Sequence, residues 1–181
     1  GGWDSGVEIF NGNTCIGASR ACQDPEGDFN VGGLTVGSTY FVRVYSWASG
    51  TTPGTPTFTI CITTPPPPPA NDECANATAI TQQANGSCTT TNGTVANATN
   101  SSITGCGTGT ADDDVWYRFT ATSTTAIIRR VTSGSWDSVV EIFNSAGGGV
   151  CIGTSRGCQD AETDYTATGL TIGNVYYVRV Y

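Results

Sequence analysis

The chain has no histidine and no methionine among its 181 residues, and all seven of its basic residues are arginine, so lysine is absent too. Without histidine or lysine it cannot build histidine-based triads, histidine metal sites, Schiff bases or lysine isopeptide bonds. Fifteen acidic residues against seven basic ones give a formal net charge of −8. Phosphate binding needs a basic surface, so we expect no nucleic-acid partner.

Long apolar runs and long helical periodicities are also missing from the sequence. We therefore expect no membrane span in these residues. The lack of methionine and of a leader segment predicts an interior excerpt of a longer secreted chain. Eight cysteines in an acidic, Gly-rich sequence indicate an oxidising compartment, so the predicted location is extracellular or at the cell surface.

One cassette occurs twice in the chain. The offset is 133 residues between Trp3 and Trp136 and 136 residues between Cys15 and Cys151, and the matching blocks are 3–11 with 136–144, 15–24 with 151–160, 33–37 with 169–173, and 42–45 with 178–181. A period of domain size predicts tandem domains. We assign 1–64 as the second half of one repeat, 65–70 as a Pro-rich linker, and 71–181 as the next repeat without its last strand.

Short runs of β-branched and aromatic residues between Gly, Asn, Asp and Ser clusters predict an all-β fold. We expect tandem jelly-roll or Ig-like β-sandwich domains. Large side chains on both faces predict that Val115–Ala121 and Val175–Tyr181 are central strands. The other predicted strands are Tyr40–Trp47, Thr57–Thr63, Ala77–Thr81, Ser87–Val95, Ala126–Thr132, Ser138–Asn144 and Tyr165–Leu170. The prolines of 65–69 predict a stiff polyproline II spacer about 15 Å long.

The chain resembles a known bacterial family at Asn71-Asp72-Glu73-Cys74, Asp113–Phe119, Gly169–Gly173 and Tyr176–Val180. These motifs are similar to those of the pre-peptidase C-terminal (PPC) domain, in the Cys-containing form that is repeated in large secreted surface proteins. The resemblance implies a jelly-roll-like β-sandwich with no catalysis of its own, acting as a spacer, adhesive or substrate-binding module.

The cysteine spacing predicts local disulfides. Cys15–Cys22 and Cys151–Cys158 would pin the same loop in the two repeats, and Cys88–Cys106 would close a Thr/Asn-rich excursion. Metal binding by these thiols is disfavoured because no histidine or second knuckle is near. Cys61 and Cys74 have two open alternatives, a partner within each one's own repeat or a bond to each other across the proline linker.

Hard oxygen ligands at Asn71, Asp72, Asp112 and Asp113 make these residues the candidate calcium site. Collagen-binding members of the resembled family hold calcium at matching positions, but two acids that precede the pair there are replaced here by proline and Ala70. The alternative is a solvated acidic turn. No other cofactor is expected.

Five Asn-x-Ser/Thr sequons cluster at Asn76, Asn85, Asn92, Asn97 and Asn100. They are candidate glycan acceptors, and Thr63 and Thr64 beside the prolines are candidate O-glycosylation sites. Trp3 and Trp136 could stack on sugar, although a lid on the sandwich is the favoured role. The pairs Glu8/Asp4 and Glu141/Asp137 could be cast as glycosidase carboxylates, but nothing in the sequence shapes a cleft, and we expect no enzyme.

The sequence therefore predicts a structural or adhesive repeat of a glycosylated extracellular fibre or pilus-like filament. Its partners would be further copies of itself, arranged head to tail, and covalent glycans. The alternative is a carbohydrate- or collagen-binding accessory module of a secreted enzyme.

Overall fold

The structure of the protein is a computed structural model. It describes residues 4–12, 17–24, 27–47, 57–107, 109–134, 136–147 and 152–181. The chain divides into two compact units, unit 1 at Gly1–Pro65 and unit 2 at Pro66–Tyr181. The boundary falls within the run of prolines.

Unit 1 contains one antiparallel sheet among its described residues. Its strands are β1 (Ser5–Asn11), β2 (Ser19–Gln23) and β3 (Tyr40–Ser46), in the spatial order β2-β1-β3. The strand β1 lies in the centre and pairs with both neighbours.

Unit 2 is a β structure with two described sheets. Its strands are β4 (Thr78–Ala79), β5 (Val115–Thr120), β6 (Thr125–Ile128), β7 (Val140–Asn144), β8 (Ser155–Gln159), β9 (Tyr165–Thr168) and β10 (Val175–Val180). The larger sheet has the order β4-β5-β10-β7-β8, and β6 pairs with β9 in a second sheet. All pairings are antiparallel except that of β4 with β5. A 3-10 turn at Cys74–Asn76 precedes β4.

The larger sheet is covered on both faces, as the sequence predicted for its central strands. Phe119, Tyr176, Val178 and Ile142 point into the core that includes Ala126 of β6 and Ala167 of β9. On the opposite face, Trp116, Phe143 and Tyr177 pack with Cys74 and Ala77. A strand that is apolar on both faces is buried on both faces, so β5 and β10 lie inside the sheet.

Most predicted strands are confirmed within one to four residues at their ends, and the all-β class is confirmed. Two predicted strands are wrong. Ser87–Val95 is exposed over nearly its whole length and forms no strand, because it has no alternating apolar residues to bury. Thr57–Thr63 has the alternation but lies in no described sheet. The strand β8 was not predicted because the residues Ser155–Gln159 are mostly polar, which is typical of a loop.

The predicted disulfide pattern is also wrong. Cys158 bonds to Cys106, 52 residues away, with Cα atoms 6.4 Å apart. This pair excludes both Cys151–Cys158 and Cys88–Cys106. Cys22, Cys61 and Cys88 are free thiols, so Cys22 does not form its predicted bond. Its predicted partner Cys15 lies outside the described residues, as does Cys151. Cys74 is disulfide-bonded. The spacing of the cysteines did not predict this pairing, because the fold brings segments together that are distant in the sequence.

Candidate functional site

A β-bulge places an arginine at the same point in both units. In unit 1, β1 and β2 pair Ile9 with Ala21 and Phe10 with Ser19, so Arg20 is the extra residue. In unit 2, β7 and β8 pair Ile142 with Gly157 and Phe143 with Ser155, so Arg156 is the extra residue. An extra residue bends the strand and redirects its side chain. The bulge therefore aims an arginine away from the regular ladder.

In unit 2 the redirected Arg156 links the two sheets. Its Nη1 donates to Asn144 Oδ1 at 3.3 Å, and its Nη2 donates to the carbonyls of Thr168 at 2.8 Å and Gly169 at 3.1 Å. The guanidinium lies 5.7 Å from the centre of the Tyr176 ring. Because Thr168 ends β9 and Arg156 belongs to β8, one side chain fastens the corner of the sandwich.

Unit 1 repeats two of these contacts, those to the asparagine and to the first carbonyl. Arg20 Nη1 donates to Asn11 Oδ1 at 3.4 Å, and Nη2 donates to the Gly32 carbonyl at 2.6 Å. We call the two sets, centred on Arg20 and Arg156, the arginine clamps. A tyrosine hydroxyl is held near the clamp in both units. The Thr35 amide donates to the Tyr40 hydroxyl at 2.8 Å, and the Thr171 amide donates to the Tyr176 hydroxyl at 2.8 Å.

The Tyr40 hydroxyl has a lowered pKa. The main cause is the hydrogen bond from the Thr35 backbone amide, and the charge of Arg20 acts in the same direction. The anchored hydroxyl and the clamp therefore form one polar cluster on the surface of unit 1.

Two shallow depressions flank the clamp of unit 1. One, of about 320 Å³, is lined by Asn11, Ser38 and Tyr40 among others. The second, of about 470 Å³, is lined by Asn11, Arg20 and Asn30 among others. Both have amide, hydroxyl or guanidinium groups on their walls, which can hydrogen-bond a hydroxylated ligand.

A second polar cluster is buried inside unit 2. Arg179 is fully buried and its Nε donates to Asp114 Oδ2 at 2.5 Å, and Asp114 is fully buried too. Arg179 Nη2 also donates to the Ile103 carbonyl at 2.9 Å. Ser101 donates its hydroxyl to Asp114 Oδ1 at 2.5 Å. These bonds tie segment 101–104 across the face of β10, so the excursion that precedes β5 serves as a layer of the fold.

Glu141 completes the buried cluster. Its Oε2 lies 3.6 Å from Arg179 Nη1, and its Oε1 accepts a hydrogen bond from Ser155 at 2.6 Å. The matching pair in unit 1 is Glu8 and Arg43, whose atoms are 2.6 Å apart, but there the Arg43 side chain is 58% exposed. Glutamate and arginine thus face each other across neighbouring strands in both units, and in unit 2 Asp114 draws the arginine into the interior.

The family model for galactose-binding-domain-like domains associated with T9SS, the type IX secretion system, matches residues 70–181, which is more than half of the chain. The chain belongs to this family. No curated protein and no solved structure matches significantly. The family is a β-sandwich family, as expected, but the match is not to the pre-peptidase C-terminal type. Its association with a secretion system indicates a secreted or cell-surface protein.

In this T9SS-associated domain, two of the four predicted calcium ligands, Asn71 and Asp72, make hydrogen bonds within the fold. Asn71 donates its side-chain amide to the Trp116 carbonyl at 2.9 Å. Both Asp72 oxygens accept hydrogen bonds from Thr99, one from its amide at 2.6 Å and one from its hydroxyl at 2.7 Å. The two bonds make Asp72 a brace between the start of unit 2 and Thr99, and the calcium site stays a prediction. No group of three or more His, Cys, Asp or Glu in the described ranges is placed to hold a metal ion.

The remaining predicted acids differ in environment. Asp112 is exposed and Asp113 is half-buried. Burial is the first cause that raises the pKa of Asp113, and the charges of Asp112 and Asp114 add to it. Sequence reasoning selected Asp112 and Asp113 but missed Asp114, the acid of this triplet that the fold uses. The position of Asp114 could have indicated its role, because this residue directly precedes the buried strand β5.

All seven predicted glycan acceptors of the domain and linker are exposed: Asn76, Asn85, Asn92, Asn97, Asn100, Thr63 and Thr64. Asn85 and Asn97 occupy turns with φ of 56° and 63°. Of the two tryptophans considered for sugar stacking, Trp136 is half-buried, and Trp3 lies outside the described residues. No helix in the described part of the chain is long and apolar enough to cross a membrane.

Proposed function

We propose that this chain is a structural and adhesive repeat of a glycosylated extracellular fibre, and that it has no catalytic role. The observation that carries the proposal is the recurrence of the arginine clamp in both units, at the same bulge and with equivalent asparagine and carbonyl partners. The recurrence makes the clamp a feature of the fold of the repeat, and in unit 2 it joins the two sheets at β8 and β9.

Unit 2 is braced between distant segments in three independent ways. The Arg156 clamp joins β8 to β9, the Cys106–Cys158 bond joins β8 to the segment before β5, and Arg179 joins β10 to Asp114. Each brace is buried, covalent or multiply hydrogen-bonded. Such cross-links resist shear between layers, which is the load on a domain that is pulled along a fibre.

Two of the four acids considered for catalysis, Glu8 and Glu141, are engaged in this framework. Glu8 pairs with Arg43, and Glu141 bonds to Ser155 beside Arg179. Glu141 is only 3% exposed, so a substrate cannot reach it. These contacts support structural roles for both glutamates.

The test is electron microscopy of the native secreted material, together with sedimentation of the purified chain. We expect linear filaments with a repeat of one domain and linker, and intact masses with hexose-sized heterogeneity that chemical deglycosylation removes. Globular particles with the mass of the bare chain would contradict the proposal.

The second candidate is a carbohydrate-binding accessory module. Two observations favour it, the membership of a family described as galactose-binding-domain-like and the polar depressions beside Asn11. Sugar hydroxyls would find amide, hydroxyl and guanidinium partners there.

Binding to galactose-containing polysaccharides, measured by affinity electrophoresis, separates the two candidates. The accessory function predicts retardation that is lost in Asn11→Ala and kept in Arg118→Lys, an exposed arginine outside both clamps. Equal mobility with and without polysaccharide would exclude this candidate.

A further inference from the structure

The two arginine clamps differ in the residue that follows their asparagine. In unit 1 Asn11 is followed by Gly12, whereas in unit 2 the equivalent Asn144 is followed by Ser145. Each asparagine ends a strand, β1 in unit 1 and β7 in unit 2, and each accepts a hydrogen bond from the clamp arginine. The chain therefore contains an Asn-Gly pair and an Asn-Ser pair in equivalent surroundings.

Gly12 leaves its backbone nitrogen unhindered. The nitrogen that follows an asparagine can attack the side-chain amide carbon and close a five-membered succinimide ring. Glycine permits this attack best, because it has no Cβ atom and adopts backbone conformations that other residues avoid. Gly12 is exposed and has a φ of 97°, and a Cβ atom there would meet nothing within 4 Å. Both the approach and the closure of the ring are therefore open at this position.

The clamp acts on the carbon that would be attacked. Arg20 Nη1 donates to Asn11 Oδ1 at 3.4 Å. When the amide carbon becomes tetrahedral, negative charge collects on this oxygen, and a guanidinium that is already in place stabilises it. Arg20 takes part in none of the ion pairs among the described residues. Its positive charge is therefore available to the amide.

Both reacting residues line a solvent-filled depression. The depression of about 320 Å³ is bordered by Asn11 and Gly12 together with Ser38, Thr39 and Tyr40. Opening of a succinimide consumes one water, and the reaction releases ammonia. The depression gives the water a way in and the ammonia a way out.

We propose that Asn11 is a site of spontaneous deamidation, in which the Gly12 nitrogen attacks an amide polarised by Arg20 and the clamp of unit 1 gains a carboxylate. The equivalent Asn144 keeps its amide, because the side chain of Ser145 hinders the same attack. This modification does not depend on the proposed fibre function.

The reaction balances without a cofactor. The Gly12 nitrogen loses its proton to hydroxide or a buffer base and forms a bond to Asn11 Cγ. The bond from Cγ to Nδ2 then breaks, and Nδ2 takes up a proton and leaves as ammonia. One water opens the ring at either carbonyl, which gives aspartate or isoaspartate at position 11. One water is consumed and one ammonia is released, and nothing is oxidised or reduced.

The product changes the chemistry of the clamp. A carboxylate at position 11 converts a neutral acceptor of Arg20 into a charged one, and a charge-assisted hydrogen bond is stronger than a neutral one. The gain is small where the arginine is exposed, as Arg20 is. Asn11 also lines both depressions of unit 1, so the same step adds a negative charge to each of them.

The first test compares the two asparagines within the same wild-type molecules. The full chain is incubated at mildly alkaline pH in water enriched in oxygen-18, and peptides are mapped at intervals. We expect Asn11 to exchange its amide for a labelled carboxylate about tenfold faster than Asn144, because only glycine leaves the attacking nitrogen unhindered. Hydroxylamine, which cleaves succinimides, should cut the chain between Asn11 and Gly12. An amide at Asn11 that lasts as long as the one at Asn144 would overturn the proposal.

The variant Gly12→Ser copies the sequence of unit 2. We expect it to slow the conversion of Asn11 to the rate of Asn144, since the two clamps then have the same Asn-Ser pair. If Asn11 converted as fast in this variant as in the wild type, Gly12 would not supply the attacking nitrogen.

The variant Arg20→Gln separates activation by the clamp from the ordinary behaviour of an Asn-Gly pair. We expect the conversion of Asn11 to slow about tenfold, less than for a fully enclosed oxyanion donor, because Arg20 is exposed. Asn85, which also precedes a glycine, is the internal control, and its rate should not change. An equal or faster conversion of Asn11 in Arg20→Gln would show that the clamp does not activate the amide, and the proposal would fail.

Discussion

The arginines of this chain act as multivalent hydrogen-bond donors, and this explains why lysine is absent from their positions. Arg156 reaches a side-chain amide and two carbonyls at once, and Arg179 reaches a carboxylate and a carbonyl in the interior. A planar guanidinium with five donors can satisfy several acceptors, whereas an ammonium acts as a single point charge. The contacts of Arg156 and Arg179 therefore depend on the planar shape and several N–H donors of the guanidinium, and not only on its charge.

We predict that Arg156→Lys destabilises unit 2 by about 1 kcal/mol, since it loses hydrogen bonds to carbonyls at a partly solvated corner. Chemical denaturation followed by tryptophan fluorescence would measure the change. Arg118→Lys is the control, because Arg118 is exposed on β5 and lies outside the clamp. Equal losses in the two variants would show that the clamp contributes nothing.

A second residue-scale prediction concerns Glu162. Its pKa is lowered chiefly by the hydrogen bond from the Ser138 amide, 2.8 Å long, and also by the Ser138 hydroxyl and Arg130. The unfolded chain therefore binds the proton more tightly. The stabilisation is present above the ordinary Glu pKa of 4.5 and is lost as the pH falls through the lowered folded-state value.

Glu162→Gln should accordingly flatten the fall in stability below pH 4.5, measured as the denaturation midpoint against pH. The effect at neutral pH should stay under about 1 kcal/mol, since the Glu162 side chain is 40% exposed and water screens it. Asp113→Asn should act in the opposite sense, because the pKa of Asp113 is raised and its ionisation opposes folding. If Glu162→Gln left the fall in stability below pH 4.5 unchanged, the predicted role of Glu162 would be disproved.

At the scale of secondary-structure elements, the β-bulges of the two units determine where the arginine clamps lie. The hairpin between β7 and β8 closes with the Gly153 amide donating to the Asn144 carbonyl at 2.8 Å. A Cβ atom at Gly153 would lie 2.7 Å from that same carbonyl oxygen. The close approach of two backbones therefore requires glycine at this position.

Gly153→Ala should cost roughly 1–3 kcal/mol, the usual range for forcing an extra carbon into a packed site. Thermal unfolding would measure it, and loss of the bulge should also weaken the Arg156 clamp. Gly32→Ala is the control, since a Cβ there meets nothing within 4 Å. A neutral Gly153→Ala would mean that the hairpin relaxes freely.

The same scale shows what the sequence could and could not predict. Strands with a strong pattern, such as β5 and β10, were predicted correctly because apolar residues on both faces require burial on both faces. The strand β8 is polar and is held by its neighbour β7, a pairing that local pattern does not encode. The clamps were missed for a related reason, because a bulge is a mismatch between two strands and is invisible in either one alone.

At the scale of the whole molecule, the two copies of the cassette differ in their cysteine chemistry. Cys22 and Cys158 occupy equivalent positions, yet Cys22 is free and Cys158 is bonded to Cys106. The partner of Cys158 comes from the segment before β5. The sequence predicted a short-range disulfide between neighbouring cysteines, whereas the structure has a disulfide between cysteines 52 residues apart.

That long bond should be a main source of stability for unit 2. Closing a loop of 52 residues restricts the unfolded chain by about 4 kcal/mol on the chain-entropy model. The total stability of a domain is about 5–15 kcal/mol, so the double variant Cys106→Ala/Cys158→Ala should shift the unfolding midpoint of unit 2 strongly downwards. Cys22→Ala, which removes a free and exposed thiol, should leave both transitions in place. If the double variant unfolded at the wild-type midpoint, the polar braces around Arg156 and Arg179 alone would hold the layers together.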